Sequence, residues 1–286
     1  MLLNETAWCF AISLFEHDLF GKPASTFPDH APARTCSHVL IGFHSSVPCF
    51  QLDALTAREE TRLQRSSHLA KRTAFVTIGQ APRGDVTPDI LAEVRTPLSV
   101  DEFGALDGMD ADEVRAMAPD EGEERLVTRL KDGTEVIIGK KKTQKRLQAL
   151  FTRLDGEGYD LIVLLCTGHF EPFSVKTPFL EPQLVVDNFV KGLSYGAKTL
   201  GVLVPNEKQT EEFHGIEGLD AKLSSATPYG TPRFAEAGRE LADTDVIVMH
   251  CMGYSEAMRR EVAGAARRPV LLSRRMVAHA IDLLVS

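Results

Sequence analysis

From Arg72 to the C-terminus, short apolar runs of strand length alternate with amphipathic segments at helical spacing, and that alternation leaves little besides a parallel α/β fold. The apolar runs predict strands at Thr73 to Ile78, Phe103 to Leu106, Leu161 to Cys166, Thr199 to Val204, Lys222 to Ala226, Val246 to His250 and Val270 to Leu272. Helical start signals lie at Asp85 with Pro88 behind it, and at the acidic capping pattern Asp110-Ala111-Asp112-Glu113. Longer helices are expected over about Lys141 to Leu154, Pro182 to Leu193, Arg233 to Ala242, Glu256 to Ala263 and Arg274 to Leu284. An Asp132-Gly133 turn between two β-rich stretches predicts a hairpin inserted into the α/β pattern.

The alternation divides into halves that echo each other, each predicted to be a small open Rossmann-like sheet. The first lobe is expected over residues 71–182, completed by the C-terminal helix within 274–286, and the second over 183–273. In each half one apolar strand ends at a cysteine followed two residues later by glycine: Cys166-Thr167-Gly168 and Cys251-Met252-Gly253. Ligands of open parallel sheets bind beyond the carboxyl ends of the strands, where loops and helix N-termini converge. One strand-terminal cysteine is ordinarily a small buried hydrophobe. A pair at matching positions points instead to acid and base on opposite faces of a carbon next to a carboxylate. Ser255 is a candidate N-cap of the helix after Cys251, so a helix N-terminus is expected to acidify that thiol.

The remaining candidates cluster at the same edge. The amides of Thr167, Gly168, Met252 and Gly253 could cradle a carboxylate, and the Thr167 hydroxyl could add a contact. In the loop after the first strand, Gln80 and Arg83 could hold a carboxylate, Arg83 by a two-pronged contact. Asp85 reads as a helix cap. His169 follows the first cysteine and Ser273 ends the last strand, whereas His250 should point away from Cys251 by strand alternation. The stretch from Phe170 to Pro178 is long enough for a lid. The glycines after the first strand lack dinucleotide spacing, so no cofactor is expected.

The first seventy residues show no sustained period and are expected to be a poorly ordered extension or the product of a mis-assigned start, with translation beginning near Leu69. An intact 31.5 kDa native species would sink the second idea. Cys36, His38, His44 and Cys49 give only half of a zinc pattern, so no metal is expected. A net charge of −8 and a pI near 5.6 argue against a nucleic-acid partner. The absence of a long apolar window argues against a membrane, and the lack of a secretory leader argues for the cytoplasm. The expected partner is a small carboxylate, and a homodimer is considered.

The ordered segments Thr77-Ile78-Gly79, Gly158-Tyr159-Asp160-Leu161-Ile162-Val163-Leu164, Phe179-Leu180-Glu181-Pro182, Gly201-Val202-Leu203-Val204-Pro205, Ala235-Glu236-Ala237-Gly238-Arg239-Glu240-Leu241 and Pro269-Val270-Leu271-Leu272-Ser273 together resemble the AroM family, over roughly Arg72 to Ser286. AroM proteins look like a branch of the aspartate/glutamate racemase superfamily. That resemblance implies two pseudo-symmetric lobes with an active site between them, and it places Cys166 and Cys251 at the superfamily's cysteine elements. His250-Cys251-Met252-Gly253 departs from the usual Gly-Cys-Thr-His, and Gln80-Ala81 stands where an Asp-Ser pair is usual, so the resemblance does not by itself carry the amino-acid racemases' substrates over to this chain. The implied activity is a cofactor-independent racemase or isomerase of a small carboxylate or amino acid, using both thiols. The alternatives are a decarboxylase or cis-trans isomerase using one thiol, and a ligand-binding accessory protein of aromatic precursor metabolism that turns nothing over.

Overall fold

A computed structural model describes residues 70–286. The expectations for the first seventy residues, including the half zinc pattern, lie outside the described residues except at Ala70. In chain order the elements are β1 Lys71–Thr77, α1 Thr87–Glu93, β2 Leu98–Gly104, α2 Ala111–Ala116, β3 Arg125–Arg129, β4 Glu135–Gly139, α3 Lys140–Leu154, β5 Leu161–Leu164 and β6 Phe179–Leu180. They continue with α4 Pro182–Leu193, β7 Thr199–Val204, α5 Gln209–Glu212, β8 Asp220–Ser225, α6 Phe234–Glu240, β9 Val246–Met249, α7 Glu256–Ala266, β10 Val270–Leu272 and α8 Ser273–Val285. Among the described residues no helix is long and apolar enough to cross a membrane.

The strands form two four-stranded parallel sheets, ordered β2-β1-β5-β6 and β10-β9-β7-β8. The fold is therefore α/β, and the two sheets carry the same order once one is read in reverse: β1 corresponds to β7, β2 to β8, β5 to β9 and β6 to β10. The central strands are buried on both faces, which is why Leu161–Leu164 and Val246–Met249 read as unbroken apolar runs rather than alternating ones. Their side chains feed three apolar clusters, one of which joins Phe75 and Val163 of the first sheet to Val202, Val248 and Ile281.

Helix α8 ties the second sheet back to the first. Asp282 accepts backbone N–H bonds from Arg95 (3.2 Å) and Thr96 (2.9 Å), just after α1. The hairpin β3-β4 pairs antiparallel around the Asp132-Gly133 turn, where Gly133 takes a φ of +93° that disfavours any side chain. The strand β6 and the one-turn helix α5 have too few residues to show a period, and sequence periodicity predicts neither.

Candidate functional site

Each cysteine sits two residues beyond the end of a central strand, and the backbone around it stays in sheet-like register. Leu165 N–H bonds to Val76 O (2.7 Å) and His250 N–H to Leu203 O (2.9 Å), so Cys166 and Cys251 emerge between the two middle strands of their respective sheets. The chain then turns in the same way twice. Gly168 N–H donates to Cys166 Sγ at 3.2 Å, and Gly253 N–H donates to Cys251 Sγ at 3.3 Å. Both residues line one cavity of about 150 Å³, the size that holds a benzene-sized guest in an engineered protein core. Thr167, Gly168, His169, Met252, Gly253 and Arg83 line it as well.

The thiols are not acidified as the helix after Cys251 suggests. Burial pushes Cys166 up to about 12, against the Gly168 N–H and Arg83, which favour the thiolate; the nearby Cys251 pushes it further up. Burial also raises Cys251, against the Gly253 N–H, Arg83 and Arg274. Desolvation of a thiolate outweighs the helix terminus here because the sulfur is taken out of water on nearly every side. The Ser255 cap itself is present, its hydroxyl accepting from Met258 N at 3.4 Å.

Arg83 is 5% exposed, and its two-pronged contact is already made, with Asp85 rather than with a ligand: Nε to Oδ1 at 2.9 Å and Nη2 to Oδ2 at 2.8 Å. Asp85 is thus a partner of Arg83 and not a helix cap; α1 starts behind Val86 with no side-chain cap. Nη2 also donates to Tyr229 Oη (2.7 Å) and Nη1 to Thr77 Oγ1 (3.0 Å), so one Nη1 hydrogen remains for a guest. Burial opposes the charge, but the bonds to Asp85 and Tyr229 hold the guanidinium protonated. Tyr229 reaches Arg83 from the loop after β8, and burial raises its phenol above the ordinary range. A Cβ on Gly253 would come within 2.5 Å of that hydroxyl, so glycine is what lets Tyr229 close on the second cysteine loop.

Several expected contacts are corrected. Gln80 does not line the cavity: its Nε2 donates to Leu106 O (3.3 Å) and its Oε1 accepts from Lys131 N (3.0 Å), pinning the hairpin to the first loop. Ser273 is fully buried with its hydroxyl on Met249 O at 2.8 Å, and it too lies off the cavity. Its neighbour Arg274 is 2% exposed and bonds Met252 O, Asp85 O and Asp89 Oδ2, locking the second cysteine loop to the start of α1. The stretch 170–178 is not a free lid. Gln144 and Gln148 of α3 bond its backbone at Glu171 and Ser174, Asp155 bonds Lys176 and Thr177, and Phe173 stacks edge-on against Phe151 at 4.8 Å.

The histidines divide differently from expectation. His250, predicted to face away, lines the cavity with its Nε2 3.4 Å from Gln183 Nε2 and 3.7 Å from Asp187 Oδ1, while Thr167 Oγ1 donates to its carbonyl at 3.2 Å. His169 is exposed and lies 5.6 Å, centroid to centroid, from the ring of His214. The hairpin forms a wall that sequence reasoning did not connect with the site. Leu126 and Thr128 line the cavity, Arg125 N–H bonds Glu212 Oε2 (3.0 Å), Arg125 pairs with Glu212 Oε1, and Gln209 Nε2 bonds Arg125 O (2.9 Å). Gly79 permits this, since a Cβ there would collide with the Arg129 carbonyl and the Thr128 hydroxyl. Of the residues missed, Thr128 had a signal, the predicted hairpin; Gln183, Asp187, Gln209 and Tyr229 had none, being single polar residues in unremarkable helix and loop sequence.

The family model described as AroM protein matches residues 73–285. No curated protein matches the chain in sequence. Solved structures that align with it include an unliganded arylmalonate decarboxylase, at 13% identity over 76% of this chain and 93% of that one with a TM-score of 0.47. The Picrophilus torridus aspartate racemase aligns at 12% identity over 76% and 94% with a TM-score of 0.46. The Nocardia farcinica maleate cis-trans isomerase bound to TRIS aligns at 11% identity over 75% and 92% with a TM-score of 0.48.

Proposed function

The chain belongs to the AroM family, and from that premise we propose that it is a cofactor-independent racemase or isomerase of a small carboxylate, working by proton transfer between Cys166 and Cys251. The observation that carries the reading is the repeated cysteine turn: two thiols at corresponding strand ends of two like-ordered sheets, each bonded by the glycine two residues on, opening into one cavity.

In the proposed cycle one sulfur is a thiolate and removes the α-proton from one face of the substrate carbon. The electron pair left behind is delocalised into the carboxylate. The opposite thiol then gives its proton to the other face, so the two sulfurs exchange protonation states and the product has the opposite configuration. The Arg83 charge favours the thiolate at both cysteines, and in this reading its spare N–H meets the carboxylate. The small cavity keeps water from the carbanion.

A second reading, a binding protein without turnover, is favoured by the raised thiols: at neutral pH both sulfurs rest protonated, as a receptor site would tolerate and a base would not. Proton exchange separates the two. Incubation in D2O with amino acids, hydroxy acids and dicarboxylates is expected to show loss of an α-proton signal by NMR. Cys166→Ser and Cys251→Ser are each expected to slow that exchange about 10²- to 10⁴-fold. Saturable binding with no exchange across the panel would move the assignment to the receptor reading, and survival of exchange in one single variant would move it to chemistry on one thiol.

A further inference from the structure

Helix α3 carries six cationic side chains, Lys140, Lys141, Lys142, Lys145, Arg146 and Arg153, and no carboxylate, in a chain whose net charge is −8. Like charges one turn apart repel unless partners from elsewhere neutralise them. Lys140 pairs with Glu124 and Lys142 with Asp120, while Arg153 reaches Glu157 only at 3.8 Å. Among the described residues no carboxylate pairs with Lys141, Lys145 or Arg146. One of these unpaired cations, Arg146, stands in the wall of a second cavity.

That cavity is an open groove of about 490 Å³, within the range of small-molecule sites, and it shares no lining residue with the cysteine cavity. Arg146, Ala149, Leu150 and Arg153 form one wall; their spacing puts them on one face of α3, with the two arginines about 10 Å apart along its axis. Phe103 of β2 and Ala105 just after it form the opposite wall. Arg146 is held across the groove. Its Nε donates to Ala105 O, so both Nη groups keep their hydrogens and present a fork of donors. The one carboxylate of the groove, Asp107, is already committed to the backbone: Oδ1 accepts from Ala81 N–H at 2.9 Å and Oδ2 from Gly104 N–H at 2.7 Å. At the far end the Arg153 guanidinium lies 5.3 Å from the centre of the Phe103 ring. The groove is therefore cationic at both ends and apolar between them.

We propose that this groove binds a phosphomonoester with a compact apolar body, the phosphate on the Arg146 fork and the body against Ala149, Leu150 and Phe103 beneath Arg153. A guanidinium fork meets phosphate oxygens in pairs, which a lysine cannot do. A dianion answers two cations that have no committed carboxylate in the groove, and the apolar floor separates an ester from free phosphate. The site is distinct from the cysteines and independent of the reaction proposed for them.

The test is calorimetric titration of the full chain with phenyl phosphate, inorganic phosphate and phenol. Phenyl phosphate is expected to bind about tenfold or more tightly than either fragment. Arg146→Gln is expected to weaken phenyl phosphate about 10- to 100-fold. Ala149→Glu, at an exposed helix position, sets a carboxylate in the groove and should weaken it by a similar factor. Lys141→Gln removes an unpaired cation of the same helix that lies outside the groove, and should change binding by less than about twofold. Inorganic phosphate binding as tightly as phenyl phosphate, or equal losses in Arg146→Gln and Lys141→Gln, would reduce the site to diffuse attraction by a basic helix and overturn the proposal. Binding unmoved in both Arg146→Gln and Ala149→Glu would place the ligand elsewhere and overturn it too, as would no binding of phenyl phosphate at all.

Discussion

The two cysteine turns begin alike and end differently. After Cys251 the chain enters α7 within a few residues, with Ser255 capping its first turn. After Cys166 no helix separates β5 from β6; residues 165–178 run as an extended segment stapled to α3 by Gln144, Gln148 and Asp155. The strand end and its glycine are thus what the site repeats, and the connection behind them is free to vary. The electrostatics diverge with the connection. Cys251 faces the charges of both Arg83 and Arg274, and is the more open of the two. At Cys166 the favouring charge is that of Arg83, with Cys251 and Glu181 working against the thiolate, while at Cys251 it is Asp85 that opposes the two guanidiniums. One turn therefore supplies the sulfur that ionises more readily, and the other the sulfur that keeps its proton.

Alkylation breaks or sustains that asymmetry with the largest expected effect. Both folded values are raised, so iodoacetamide should react slowly at neutral pH and its rate should keep climbing about tenfold per pH unit beyond the ordinary thiol range, where a free cysteine levels off. Cys251 should be modified before Cys166 at every pH, as read by peptide mass. Cys166 reacting first would reverse that order of acidity. The same shifts carry a stability signature. A buried thiol with a raised folded value binds its proton more tightly than the unfolded chain does, so its contribution is fully present below the ordinary thiol range. It is lost as pH rises from there towards about 12 for Cys166. Denaturant midpoints falling over that alkaline window, and falling less in Cys166→Ser, would agree.

The two glycines sharpen the comparison further, because one substitution meets different neighbours. Gly253→Ala would drive a methyl against Tyr229 Oη and Pro228 Cγ, at 2.5 and 2.9 Å, and part Tyr229 from Arg83. Gly168→Ala meets the end of a flexible side chain, Leu126 Cδ2 at 2.7 Å, which can turn aside. Chemical denaturation is expected to show a loss of about 1–3 kcal/mol for the first and clearly less for the second. Equal losses would mean that Tyr229 yields as easily as Leu126 and does not act as a latch.

The features legible in the sequence are those with a period or a repeat. Unbroken runs such as Val246–Met249 announce strands buried on both faces, and the recurrence of Cys-x-Gly marks two turns that the structure brings to one cavity. What escapes is set by long-range pairing. Nothing local to Arg83 says that its Nη2 is shared with Tyr229, 146 residues away, nor that Arg274 is buried under Met252 and α1. Strand alternation also misplaces His250, because regular β9 stops at Met249 and the side-chain alternation that would have turned the ring outward stops with it. The helix terminus expected to acidify Cys251 is present, and its effect is outweighed by desolvation, whose size depends on packing from both lobes.

The smallest expected effect tests whether the helix after Cys251 matters to the thiol at all. Ser255→Ala removes the hydroxyl that accepts from Met258 N and should cost about 1 kcal/mol of stability by denaturant titration. The first lobe has no corresponding cap to remove, so the cost falls on one side of the pseudo-symmetry only. If the first turn of α7 also loosens, the Cys251 turn is still held by Gly253 N–H and by Arg274 on Met252 O, neither of which depends on the cap. The alkylation rate of Cys251 should therefore stay within about twofold of the parent while stability falls, because the dipole of a frayed first turn changes by only a fraction of its already small influence. A several-fold drop in Cys251 reactivity in Ser255→Ala would show instead that the helix terminus, and not Arg83 and Arg274, sets the proton affinity of that sulfur.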